Sequence, residues 1–152
     1  MILLFPFPIF LIVFMQKITV LIADDHQMAR TALVFVLNSN NRFEVIAECE
    51  TGEEAVEKSR ELNPDIVLMD INLPGLDGIE ATVQICELSP APKVLGMSMH
   101  THPSYANLIM EKGAMGYLTK NCSRDEMFRA ILEVCSGKKY VCNEIKNTLL
   151  DG

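Results

Sequence analysis

Three carboxylates, one hydroxyl and one ammonium stand at the ends of short apolar runs. Asp24 and Asp25 follow KITVLIA, Asp70 closes DIVLMD, Ser98 lies near the end of KVLGMSM, and Lys120 follows GYLT. Carboxylates about 4 Å apart repel by several kcal/mol even at an effective dielectric of about 20. A cluster of this kind makes sense around a divalent cation. Hard oxygen donors suit Mg²⁺, which keeps part of its water shell and accepts phosphate oxygens. The chemistry implied is phosphoryl transfer, with one aspartate as nucleophile. The cation and Lys120 would neutralise the equatorial oxygens while the Ser98 hydroxyl donates a hydrogen bond.

These groups meet only if the runs that carry them are neighbouring strands. From Lys17 onward, strand-like and helix-like segments alternate. Lys17–Ala23, Phe43–Cys49, Asp65–Asp70, Lys93–Met99 and Gly116–Thr119 are short apolar runs of the kind buried on both faces of a parallel sheet. Between them, Thr51 with Glu54 and Ser123 with Glu126 read as capping boxes. Pro103 suits the first position of a helix that Gly113 can end, and Met127, Ile131 and Val134 form one inward face of the last long helix. Five strands, each followed by a helix, predict an α/β fold: a doubly wound five-stranded parallel sheet with helices on both faces. Ligands in such sheets sit at the carboxyl ends of the strands, near the point where strand order reverses.

Taken in order, VLIADDHQMAR, IVLMDINLPGLDGIEA, VLGMSMH and GAMGYLTK resemble the receiver domain of two-component response regulators, a flavodoxin-like fold. The spacing is 28 positions from Asp70 to Ser98, 19 from Ser98 to Tyr117 and 22 from Ser98 to Lys120. The resemblance covers about Lys17 to Ser136. The tail SRDEMFRAILEVCSGKKYVCNEIKNTLL resembles the end of a receiver of the LuxR-type (NarL/FixJ) subfamily, in which a linker helix leads to a helix-turn-helix DNA-binding domain.

The resemblance implies that Asp70 is the phospho-acceptor and Asp25 a direct Mg²⁺ ligand, with Asp24 acting mainly through water. It makes the backbone carbonyl of Asn72 the remaining protein ligand to the metal. Ser98 matches the hydroxyl that turns towards the phosphoryl group, Lys120 the lysine beside it, and Tyr117 the aromatic that turns between solvent and core. Pro74, Gly75 and Gly78 match the tight loop after the acceptor strand, where glycine tolerates positive φ. The implied partners are a sensor histidine kinase and a second copy of the chain on phosphorylation. DNA would be reached only through an output domain that these residues do not include. The helix after the acidic pair is where kinases dock in this family. Its inward face reads as Ala29, Leu33, Val36 and Leu37, which leaves Phe35 outward as a contact for the kinase.

The expected domain layout is an apolar extension over 1–14, a receiver over 15–136, and the start of a linker over 137–152. Residues 1–14 are apolar except for Pro6 and Pro8. They lack the basic flank and cleavage site of a signal peptide and are shorter than the ~20 residues of a membrane span. A weak membrane or partner anchor is the alternative reading of that segment. The net charge of -7 gives no electrostatic footprint for direct nucleic-acid binding. Five cysteines without metal-ligand spacing read as reduced thiols of a cytoplasmic protein. His26, His100 and His102 have no metal-ligand spacing on a single helix face, although His26 and His100 flank the site.

Two other functions compete. An Mg²⁺-dependent phosphohydrolase with an aspartyl nucleophile would need an acid two residues after Asp70, where Asn72 stands. A degenerate receiver acting without phosphate is disfavoured by the intact set Asp24, Asp25, Asp70, Ser98 and Lys120. The expected role is a switch that assists only its own phosphorylation and dephosphorylation, not an enzyme of rapid turnover.

Overall fold

The computed structural model describes residues 16–151, so the expected apolar extension over 1–14 lies outside the described residues. Five strands appear where the apolar runs predict them, with ends differing by a residue: β1 (Ile18–Ala23), β2 (Phe43–Cys49), β3 (Ile66–Asp70), β4 (Lys93–Ser98) and β5 (Gly116–Thr119). The helices between and after them are α1 (Gln27–Asn38), α2 (Gly52–Leu62), α3 (Gly78–Cys86), α4 (Pro103–Glu111) and α5 (Arg124–Cys135).

The sheet has six strands rather than the expected five. β6 (Tyr140–Val141) comes from the tail and pairs in parallel with Gly116 and Tyr117 of β5, and α6 (Asn143–Asp151) follows it. A two-residue strand preceded by two lysines has no periodicity to read. It forms because its backbone completes the edge of β5: the Tyr140 amide donates to Met115 and the Cys142 amide to Tyr117, at 3.1 and 3.0 Å.

All pairings are parallel, in the order β2-β1-β3-β4-β5-β6. The order reverses between β1 and β3, where the chain leaves β1 for β2 and returns on the other side. Val20–Ala23, Ile66–Met69 and Val94–Leu95 are almost completely buried, as strands covered on both faces must be. α1 and α5 line a shared groove on one face, while α2, α3 and α4 stand side by side on the other.

The helix starts follow the sequence signals. Thr51, Asp77 and Ser123 accept the amides of Glu54, Glu80 and Glu126 at 3.1, 2.9 and 3.0 Å. Gly113, at φ +117, ends α4. The two capping boxes are only half formed. The Glu54 carboxylate reaches the Glu50 amide, and Glu126 instead accepts the Tyr140 hydroxyl and the Asn143 amide, each at 2.8 Å. Glu126 therefore ties the tail to α5. Thr119 adds a second tie by donating to Glu144 at 2.6 Å. Among the described residues, no helix is long and apolar enough to cross a membrane.

Candidate functional site

The carboxyl ends of β1, β3, β4 and β5 come together by register. Ala23 pairs with Met69, Asp70 with Met97, and Ser98 with Thr119. The residues one step further, Asp24 and Lys120, therefore flank Asp70. The Lys120 ammonium lies 2.8 Å from Asp24 Oδ2 and 2.9 Å from Asp70 Oδ2, so it bridges the two carboxylates. Asp24 and Asp70 are buried, and the Asp25 carboxylate is partly open to solvent.

Each buried carboxylate uses its second oxygen on the backbone two residues ahead. Asp24 Oδ1 accepts the His26 amide at 2.9 Å, and Asp70 Oδ1 accepts the Asn72 amide at 3.0 Å. The outcomes differ. Burial pushes both carboxyl groups up, and for Asp24 the Lys120 and His26 hydrogen bonds outweigh it, leaving its pKa below the ordinary value. Burial prevails for Asp70 despite Lys120 and the Asn72 amide, helped by the neighbouring Asp24 charge, so its pKa lies above the ordinary value. Burial opposes the Lys120 charge, but its two carboxylate partners raise its pKa overall.

One donor atom from each of Asp24, Asp25, His26 and Asp70 lies within 4.8 Å of the others. Three of the four residues offer hard oxygens, the chemistry that suits Mg²⁺. The acidic residues found here are the ones the sequence analysis expected to hold it. His26 is an addition, its Nδ1 sitting 3.1 Å from Asp25 Oδ1. Its position directly after the acidic pair was the available signal.

Ser98 is fully buried, and its hydroxyl oxygen accepts the His100 amide at 3.1 Å. The Tyr117 ring is turned fully inward, and its hydroxyl donates to the His100 carbonyl at 2.6 Å. The His100 ring stacks on Tyr105 at 4.0 Å, and its Nε2 lies 3.1 Å from the Asn72 side-chain nitrogen Nδ2. His100 thus joins the loop after Asp70 to the loop after Ser98.

The glycines of the acceptor loop act in different ways. Gly75 has φ +70, as expected. Gly78 does not have positive φ; a Cβ there would lie 1.9 Å from the Asp70 carbonyl oxygen, so its requirement is close approach between α3 and the end of β3.

On α1, Leu37 is buried and Ala29, Leu33 and Val36 are half-buried, while Phe35 is 77% exposed. The expected inward face overlooked Arg30, which is buried. Its residue type argues for solvent, and the acceptors brought beside it, Glu48 and Glu50 at the end of β2 and the Asp24 carbonyl after β1, explain its burial.

Comparisons with known proteins bear on the fold and the family. The model of the response regulator receiver domain matches residues 20–132. The transcriptional regulatory protein DegU of Brevibacillus brevis is 39% identical over 135 residues, covering 89% of this chain and 57% of that protein. The response regulator GacA of Pseudomonas viridiflava is 36% identical over 132 residues, covering 87% and 62%. The chain therefore spans about three-fifths of the length of these curated relatives. A crystal structure of a two-component response regulator of the LuxR family from Aurantimonas sp. SI85-9A1 superimposes with a TM-score of 0.83. It is 31% identical, and the match covers 90% of this chain and 97% of that one. The chain belongs to the response regulator receiver domain family of two-component systems, as a receiver of the LuxR type.

Proposed function

We propose that Asp70 accepts a phosphoryl group from a phosphohistidine of a sensor histidine kinase. An Asp70 carboxylate oxygen attacks phosphorus, the P–N bond breaks, and the imidazole leaves as the acyl phosphate forms. The observation that carries this reading is the Lys120 ammonium, 2.9 Å from the Asp70 carboxylate and anchored from its other side by Asp24. That anchor holds a positive charge beside the acceptor, ready for the phosphoryl oxygens without reorganisation. Asp24, Asp25, Asp70 and the Asn72 carbonyl would hold Mg²⁺, which when bound supplies further charge neutralisation at those oxygens.

Ser98 then turns its hydroxyl from the His100 amide towards the phosphoryl group, and Tyr117 holds the inward position beneath it. The altered β4–α4 loop shifts the surface around α4, β5 and the tail, which leads from the receiver towards an output domain controlling transcription. Relatives named transcriptional regulatory protein and response regulator support this output. On α1, Met28 and Phe35 are 87% and 77% exposed and two turns apart, a surface suited to a kinase helix. A homodimer formed on phosphorylation and a cytoplasmic location complete the reading.

Incubation with acetyl phosphate and Mg²⁺ tests it. One phosphoryl group should appear by intact mass in the parent and be lost in Asp70→Asn. A full adduct in that variant would show the acceptor to be elsewhere.

A further inference from the structure

The acidic pair is held from behind by a buried cation. Arg30, in the first turn of α1, has a side chain only 9% exposed. Its Nη1 donates to the backbone carbonyl of Asp24 at 2.7 Å, wholly buried. Its Nε and Nη2 each lie 3.1 Å from a carboxylate oxygen, of Glu48 and Glu50 respectively. The Arg30 amide also donates to the His26 carbonyl at 3.0 Å. One residue therefore joins the end of β1, the start of α1 and the end of the edge strand β2.

Burying a guanidinium is costly unless every donor group finds an acceptor, and here the fork is matched on three sides. The two glutamates also outnumber its charge, so it does not cancel the attraction of Asp24 and Asp25 for a cation. What it fixes is geometric. The peptide between Asp24 and Asp25 is planar, so holding its carbonyl oxygen sets the Cα positions from which both carboxylates project. The His26 side chain caps no amide of α1, so beyond the Asp24 carboxylate on the His26 amide the turn relies on Arg30.

We propose that Arg30 is a positioning residue for the divalent-cation site, setting the Asp24–Asp25 peptide so that cation affinity depends on a side chain that touches no carboxylate of the site. This rests on the reading of the acidic cluster as an Mg²⁺ site. Groups that orient metal ligands in this way are worth about 10- to 100-fold in affinity when removed.

The test is an NMR titration of the full chain with Mg²⁺, alongside amide hydrogen exchange without metal and a melting curve. Arg30→Met should raise the Mg²⁺ midpoint about tenfold. Its His26 amide should also exchange faster in the metal-free protein, while the Leu68 amide in β3 stays protected. Arg30→Lys, which can reach the carbonyl but not both glutamates, should fall in between. If Arg30→Met does not fold, the exposed pair Glu48→Gln with Glu50→Gln decides: it should raise the midpoint severalfold and loosen His26. A lower melting temperature with unchanged midpoint and unchanged His26 exchange would overturn the proposal, leaving Arg30 a structural residue only. If the parent shows no Mg²⁺ saturation at millimolar concentration, the Mg²⁺ reading falls. In that case the metal-free His26 exchange still decides the positioning role, and an unchanged rate overturns it.

Discussion

The Tyr117 hydroxyl donates a 2.6 Å hydrogen bond to the backbone carbonyl of His100, the residue whose amide is bonded to the Ser98 hydroxyl. The β4–α4 loop is thus attached through one residue to the hydroxyl expected to turn on phosphorylation and to the ring that already holds the inward position. Dense packing around a fully buried ring leaves little room for intermediate positions, so a turn of Ser98 should be transmitted through this loop to the Tyr117 hydroxyl.

Ser98→Ala should still accept phosphate on Asp70 but respond weakly to it. A shift from 10% to 90% of the responding state needs a factor of about 80, or about 2.6 kcal/mol, which a few charge-assisted hydrogen bonds can supply. Sedimentation or NMR with beryllium fluoride as the phosphate mimic measures the response. A response in Ser98→Ala equal to the parent's would remove Ser98 from the switch.

Tyr117→Phe keeps the ring and deletes its bond to His100. It should cost about 1 kcal/mol of stability, the net value of a hydrogen bond, as read from urea unfolding. The chemical shifts of the His100 and Asn72 backbone should change with it, because Asn72 meets the His100 ring.

Mg²⁺ should stabilise the fold, since the cation relieves repulsion among Asp24, Asp25 and Asp70. Binding to the native state alone adds about 2.7 kcal/mol when the cation is at a hundred times its Kd. Melting with and without millimolar Mg²⁺ measures the shift. Asp25→Ala, which removes the most accessible carboxylate, should abolish it, and an equal shift in that variant would indicate non-specific ionic effects.

Gly78→Ala should destabilise the protein by about 3 kcal/mol. The new Cβ would sit 1.9 Å from the Asp70 carbonyl and must displace the end of β3 or the start of α3. Denaturant unfolding measures the loss, and acetyl-phosphate labelling should slow because the acceptor itself moves.

Alkaline pH should erode stability through buried thiols and a tyrosine that take no part in phosphoryl transfer. Burial pushes the Cys49 and Cys122 thiols from 9.0 up to about 12, and burial with the Glu126 carboxylate pushes Tyr140 from 10.0 up to about 12. The native state therefore holds these protons more tightly than the unfolded chain. Their contribution is fully present below about pH 9, falls as pH rises past it, and is gone above about pH 12. Melting temperature against pH should show this decline, and iodoacetamide should modify Cys122 more slowly in native than in unfolded protein at pH 8.

The sequence by itself determined the five apolar strands, the alternation with helices and the identity of the residues at the strand ends. Those signals are local. A run such as IVLMD can only be buried on both sides, and parallel strands joined by helices bring their carboxyl ends to one edge. Asp24, Asp25, Asp70, Ser98 and Lys120 were legible for that reason. Tertiary structure decided what each of them touches. Lys120 reaches Asp24 across 96 positions and Asp70 across 50, and no short-range pattern could divide its charge between the two. Tyr140 and Val141 become a strand only because β5 offers a free edge, and Glu126 turns from a capping residue into a tie for the tail because Tyr140 and Asn143 arrive beside it. Arg30 is the clearest case. Its type favours solvent, and it lies buried because β2 brings Glu48 and Glu50 to its fork while the turn after β1 brings the Asp24 carbonyl, an arrangement that exists only once three separate elements have packed.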